Sequence, residues 1–391
     1  MPEWAATTVG TIADIFDGPH ATPRRTESGP WFLNIGSLRG GRLDLTESAH
    51  ISEEDFVTWT RRVTPRPGDV LFSYETRLGE AALMPSGLRA CLGRRMGLLR
   101  PRRDRVDSRF LLYVYMAPSF QQIIRQRTVR GATVDRIPLV ELPNWPITLP
   151  PMKQQQTIAA VLGVLDDKIA VNDQIMAVAD ELVRSHYIME SLRAEGRIFI
   201  SDLGDLIHDT VPGESLLGSE NYIGLEHMPR RNMWLSEWDS TLNVVSAKNK
   251  FEQGDVLFGK LRPYFHKVGV AFTSGVSSTD IFIVRARAEA YRGWLLAALA
   301  SDEVVAHASA VGDGTRMPRA KWGDIAQFQV PWIGSERARE FDEIVVSLMN
   351  RVRAAVMEIN LLARVRDTLL PKLMSGEIQV REAERIVEDA T

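Results

Sequence analysis

Between residues 158 and 183 the apolar side chains fall at alternating steps of four and three. The series is Ile158, Leu162, Leu165, Ile169, Met176, Ala179 and Val183, with Asn172 in the same register. That spacing keeps one stripe on one face of a helix and is the seam of a coiled coil. A second seam runs through Phe341, Val345, Leu348, Val352, Ala355, Ile359 and Leu362. Either stripe alone would stand in water, so the pattern predicts that the two helices pack on each other with left-handed geometry. A whole domain lies between them, which makes an antiparallel pair easy to reach. About 30 residues of helix would then hold the flanking domains on the order of 45 Å apart. Asn172 reads either as a polar residue that fixes the register or as a side chain at the seam edge. The second helix is expected to end near Leu370-Pro371, with Ser375-Gly376-Glu377-Ile378 as a tail.

Ahead of each helix the pattern changes. Residues 31–35 and 69–74 read as short strands separated by Gly/Pro turns. Phe110, Leu111, Val114, Tyr115 and Phe120 sit at helical spacing, with Pro118 placed to break or kink that helix. Pro138, Pro143, Pro146, Pro150 and Pro151 then make an extended connector. Near Gly196 a second unit begins, and it leaves through an extended run ending at Pro331. The expected fold is therefore α/β (α+β). Two pseudo-symmetric globular domains, 1–150 and 196–333, are separated by a long antiparallel two-helix coiled coil made of 151–195 and 334–391.

The two domains are repeats. Gly68-Asp69-Val70-Leu71-Phe72 returns as Gly254-Asp255-Val256-Leu257-Phe258, roughly 185 residues later. Phe32-Leu33-Asn34-Ile35 is echoed by Tyr222-Ile223-Gly224-Leu225, and residues 131–136 by 314–319. A duplicated domain-plus-helix implies pseudo-two-fold symmetry, and so a target with two halves.

Composition adds little until it is read locally. Apolar residues at 45% and charged residues at 25% are those of an ordinary folded protein. No apolar run approaches the ~20 residues of a membrane span. The opening Met1-Pro2-Glu3-Trp4 has no secretory character, and the lone Cys91 forms no internal disulfide, so a cytoplasmic location is expected. The net charge is −3, yet residues 89–136 hold twelve Arg and three Asp with no Lys or Glu, a local +9. Such a segment suits a polyanion, or is simply a solvated Arg-rich face.

Catalytic constellations are missing from the sequence. The seven histidines show no HxxxH, HExxH or CxxC neighbourhood, and there is no GxSxG elbow, Walker loop or Asn-Pro-Pro-aromatic tetrapeptide. No catalytic, metal-binding or cofactor-binding residue is assigned. What remains is two sets of polar loops after short strands. Ser73, Tyr74, Thr76 and Arg77 follow the first Gly-Asp-Val-Leu-Phe strand; Lys260, Arg262 and Tyr264 follow the second. Arg130, Thr133 and Arg136 recur as Thr315, Arg316 and Arg319. Side chains of this kind donate to base edges and phosphates, which makes all thirteen candidate DNA contacts. For any one of them, turn and capping chemistry is the plainer explanation; the recurrence favours binding.

In this combination the chain resembles the specificity subunits of type I restriction–modification systems over essentially its whole length. The residues that carry the resemblance are the two strand motifs, the second extending to Gly259-Lys260-Leu261-Arg262-Pro263-Tyr264. With them go Gln154-Gln155-Gln156-Thr157-Ile158 through Asp166-Asp167-Lys168-Ile169, and the C-terminal Leu369-Leu370-Pro371-Lys372-Leu373. The resemblance implies two target-recognition domains that read the halves of a bipartite, asymmetric site in double-stranded DNA. The seam helices, with Ile158, Leu162, Leu165, Ile169, Asn172, Met176, Phe341, Val345, Leu348, Val352, Ile359 and Leu362, would act as ruler and as platform for two modification subunits. S-adenosylmethionine would reside in those partners, and ATP and Mg in a restriction subunit. The chain itself would do no chemistry. A methyltransferase or nuclease with an unfamiliar motif, and a protein-binding scaffold, are the rival readings.

Overall fold

The computed structural model of the chain describes residues 4–19, 21–131, 134–310 and 318–391. It divides into two compact units, residues 1–168 with 361–391, and residues 169–360. Each unit therefore takes its share of both long helices, and in the second Met176, Ala179, Val183, Phe341, Val345 and Val352 pack in the globular core.

In the first unit, the strand Ala5–Thr8 pairs antiparallel with Pro146–Leu149. Beyond that clasp lies a four-stranded antiparallel sheet in the order Ala13–Asp17, Met96–Pro101, Val70–Ser73, Ala81–Leu83. A second sheet pairs Thr26–Leu33 with Ala49–His50 and, in parallel, with Ala90–Leu92. Pro118 does break the helix: Ser108–Met116 ends at Ala117, and Pro118 opens a new one, Pro118–Arg127, where its missing N–H costs nothing.

The second unit repeats this plan. Gly196–Phe199 pairs with Gln329–Trp332. One sheet runs Gly204–Leu206, Ile281–Ala286, Val256–Gly259, Val268–Ala271, Trp234–Leu235; the other runs Thr210–Val211, Lys248–Phe251, Gly275–Ser277, Asn221–Ile223, Asp239–Ser240. Its core gathers Trp234, Trp294, Tyr187 and Phe341, with the rings of Trp294 and Phe341 edge to face at 5.1 Å.

The recurring pentapeptide is scaffold. Gly68 and Gly254 sit at φ 91° and 94°, a turn that side chains avoid. The aspartate after each is 2% exposed and takes a bidentate arginine from the neighbouring strand. Arg100 grips Asp69 at 3.0 and 2.8 Å, and Arg285 grips Asp255 at 2.8 and 2.8 Å. The same carboxylates also accept the backbone N–H of Arg66 and Glu252.

Both long helices are continuous, Met152–Ser191 and Ser335–Ser375. In the second unit Asn172 donates to Glu358 at 2.8 Å while Glu190 meets Arg337, so the helices run antiparallel there. In the first, Asp166 meets Arg366 at 3.0 Å with the same sense. The second helix passes through Pro371, where a stop was expected, and ends at Gly376, whose φ of 72° lets Glu377 N–H reach back to Lys372. A further helix, Val380–Ala390, follows where only a tail was foreseen; it buries Ala383 and Val387.

Candidate nucleic-acid interface

In each unit the fold brings together the two loop motifs that recur in the sequence. Val70–Ser73 ends its sheet, and the chain is then caught on both sides. Tyr74 N–H donates to Arg95 C=O, and Tyr74 C=O accepts from Ile137 N–H at 2.8 Å. Glu75 bridges Arg136, and Arg136 exchanges two backbone hydrogen bonds with Val129. In the second unit Lys260 N–H donates to Asp280 C=O, Lys260 C=O accepts from Ala320 N–H at 2.9 Å, and Leu261 bridges Arg319. These are the same bonds at equivalent positions.

The next residue in each loop is left-handed: Thr76 at φ 70° and Arg262 at φ 51°. Outside glycine that conformation costs roughly 1–2 kcal/mol. Here flanking backbone bonds hold it, with Arg262 N–H on Pro318 C=O at 2.8 Å. The same backbone bridges thus present different side chains.

The side chains divide into spent and free. Ser73 is fully buried and donates to Glu75 C=O; Tyr74 is 4% exposed, and burial pushes its phenol above the ordinary range. Arg77 braces Ile35 C=O at 3.0 Å and faces Glu80. Arg130 and Arg136 are exposed. Lys260 donates to Thr279 C=O at 2.7 Å and lies 4.5 Å over the Phe282 ring; burial draws its ammonium below the ordinary value. Arg262 is half-buried beside Phe265, whereas Tyr264 is exposed. Arg319 is exposed and paired with Asp280 at 3.3 Å. Thr133, Thr315 and Arg316 lie outside the described residues.

Sequence reasoning missed a third contributor. Arg95, which pairs with Glu75 at 3.0 Å and donates to Thr76 Oγ1 at 3.2 Å, occupies the position of Asp280. Each immediately precedes a matching strand, Met96–Pro101 or Ile281–Ala286, and that recurrence is the signal. The two units therefore carry opposite charges at one shared point.

The local +9 is also smaller than it reads. Six of its arginines are in ion pairs: Arg89–Glu53, Arg95–Glu75, Arg100–Asp69, Arg102–Asp14, Arg105–Asp104 and Arg109–Asp167. Five of those carboxylates lie outside the segment, which lowers its balance from nine to four.

The seam side chains face inward. Ile158, Leu162, Leu165, Leu362, Ile169, Met176, Phe341, Val345 and Val352 are buried, Leu348 and Ile359 partly so, and Asn172 is 4% exposed. On the face of the first helix beside the seam, about 100° round from it, Val171, Val178, Leu182 and Met189 are exposed, with Ile175 half-buried between them. Val171, Ile175, Val178 and Leu182 follow steps of four and three, and Met189 stands one heptad beyond Leu182. Among the described residues no group of three or more His, Cys, Asp or Glu is placed to hold a metal ion. No helix among them is long and apolar enough to cross a membrane.

Residues 11–180 match the family described as the type I restriction modification DNA specificity domain. A putative type I restriction enzyme MjaX specificity subunit of Methanocaldococcus jannaschii is 24% identical over 278 residues, 67% of this chain and 62% of that protein. The type I restriction enzyme EcoDI specificity subunit of Escherichia coli is 27% identical over 141 residues, 34% of this chain and 31% of its own. The match thus spans less than two thirds of either relative. The solved type I restriction-modification system S subunit from M. genitalium shares the fold, with a TM-score of 0.53 at 17% identity over 95% of this chain and 96% of that one.

Proposed function

We propose that the chain, similar over residues 11–180 to the type I restriction modification DNA specificity domain, is a specificity subunit that supplies the DNA address of such an assembly and performs no chemistry itself. The observation that supports this best is the pair of equivalent loop sites. Each has the same backbone bridges around a left-handed residue, and each presents different side chains: Thr76, Arg95 and Arg136 in one, Arg262, Asp280 and Arg319 in the other. A shared frame with unlike contents is what two readers of unlike half-sites need. The exposed arginines and Lys260 can meet phosphates and guanine edges, while a carboxylate such as Asp280 accepts from cytosine N4.

The paired helices set the unread spacer between half-sites. Two modification subunits dock on the assembly and bring S-adenosylmethionine for adenine methylation; a restriction subunit, where present, brings ATP and Mg. The inward seam is already covered, so the outward stripe of Val171, Ile175, Val178, Leu182 and Met189 is the face we assign to a docking helix.

Methylome sequencing of a host expressing the chain with its modification subunits tests this. The expected result is one methylated motif of two fixed halves around an unspecified spacer. Arg262→Ala is expected to alter only one half. A continuous motif, or methyl transfer by the isolated chain, overturns the reading.

A further inference from the structure

Lys248 is 7% exposed and lines a cleft of about 430 Å³ in the second unit, together with Tyr222, Asp239, Ser240, Val244, Val245 and Ser246. Its ammonium donates to Ser246 Oγ at 2.6 Å and to Ser246 C=O at 3.2 Å, and lies 5.6 Å over the Tyr222 ring. Every one of these partners is neutral. Among the described residues no carboxylate lies within ion-pair distance of it. The one acid in the cleft, Asp239, is 77% exposed and turns to His227 at 3.2 Å.

A buried cation with hydrogen bonds but no countercharge is costly. Buried charges are ordinarily paired, and an apolar side chain of similar length would fill the place more cheaply. The first unit shows the ordinary solution. Six residues before the shared glycine stands Arg62, at the position of Lys248; it is exposed and held by both oxygens of Asp17 at 2.8 Å.

The cleft also adjoins the loop site. Tyr222 and Ile223 pair in parallel with Val276 and Ser277, Ser278 N–H donates to Ile223 C=O, and the next two residues, Thr279 and Asp280, hold Lys260 and Arg319. Lys248, Lys260 and Arg319 are therefore linked through neighbouring residues of the one unit.

We propose that Lys248 and the Ser246 hydroxyl form a phosphate-binding site that takes a backbone phosphate of the DNA half-site read by the second unit. This rests on the DNA-address reading above. A phosphate oxygen would supply the missing countercharge and accept from the ammonium and hydroxyl together. The contact carries no base preference, so it adds affinity alike on every sequence.

The test is the salt dependence of duplex binding by the full-length chain, on duplexes of unrelated sequence. Lys248→Gln removes the charge, Lys248→Arg keeps it, and Ser246→Asp neutralises it in place with a carboxylate at the position of the present hydroxyl. Each contacted phosphate contributes about 0.9 to the slope of log K against log salt. The expected result is a slope lower by about 0.9 for Lys248→Gln and for Ser246→Asp, equal on all duplexes, with Lys248→Arg close to the parent. Should Lys248→Gln fail to fold, Ser246→Asp carries the comparison. An unchanged slope in both neutralising variants overturns the site while leaving the DNA-address reading intact. Binding of inorganic phosphate that depends on Lys248, without any change in the duplex slope, assigns the cleft to a free anion and overturns the DNA contact. Absence of salt-dependent duplex binding in the parent chain sinks both readings together.

Discussion

Asp69 and Asp255 each join a turn to the strand beside it. A buried carboxylate there satisfies a guanidinium and a backbone N–H at once. Asp255→Ala leaves the Glu252 amide without its acceptor and Arg285 with only the Glu252 carboxylate, at 3.2 Å. Arg285 is 39% exposed, so water recovers part of the loss. The expected cost is about 1–3 kcal/mol, read from urea unfolding. His266 makes a different prediction. It is 3% exposed, its Nε2 meets Ala300 C=O, and burial holds the imidazole below its ordinary value of 6.5 despite Asp302 nearby. A lowered folded value means the unfolded chain takes the proton first. The stabilisation is present above pH ~6.5 and is lost as pH falls through the folded value. Urea midpoints measured downward from neutral pH should fall, and His266→Gln should flatten that decline. A parallel decline in the variant would assign the effect to other groups.

At the scale of elements, the heptad seams were legible because their period is long and their side chains are unambiguous. Pro371 misled, since a proline late in a helix costs only a local bond when the packing of Leu369, Leu370 and Leu373 holds the turn. The helix Val380–Ala390 was hidden because only Ala383 and Val387 mark its buried face among many charges. Arg95 and Asp280 escaped notice because opposite charges do not look like a repeat. The antiparallel pairing of Asn172 with Glu358 also fixes how the proposed ruler role must be tested. Adding a heptad after Asn172 alone would slip the seam; adding one to each helix, after Asn172 and before Glu358, keeps every layer. Seven residues lengthen the pair by about 10 Å, about three base-pair steps. The expected outcome is a methylated motif with both halves unchanged and a spacer longer by about three. An unchanged spacer would show that something else sets it.

Across the whole molecule the charge pattern was the least legible feature. A run of twelve arginines reads as a basic patch, yet the acids that neutralise half of them stand up to 88 residues away in sequence, as with Arg102 and Asp14. Only folding brings them together. Arg125, Arg127 and Arg130 are exposed and have no such partner among the described residues. Replacing these three with Gln should lower the salt slope of DNA binding by up to about 2.7, whereas the same change at Arg102 and Arg105 should leave it near the parent value. Equal effects in the two sets would mean that ion pairing does not decide which arginines meet DNA. The clasp of Gly196–Phe199 with Gln329–Trp332 has a mechanical side as well. The chain enters at Gly196 and leaves at Trp332, which are partners in the ladder. Tension drawn through the two helix ends would therefore load these rungs one after another, as in a zipper, and never all at once in shear. Such a joint opens under small force and recloses in register.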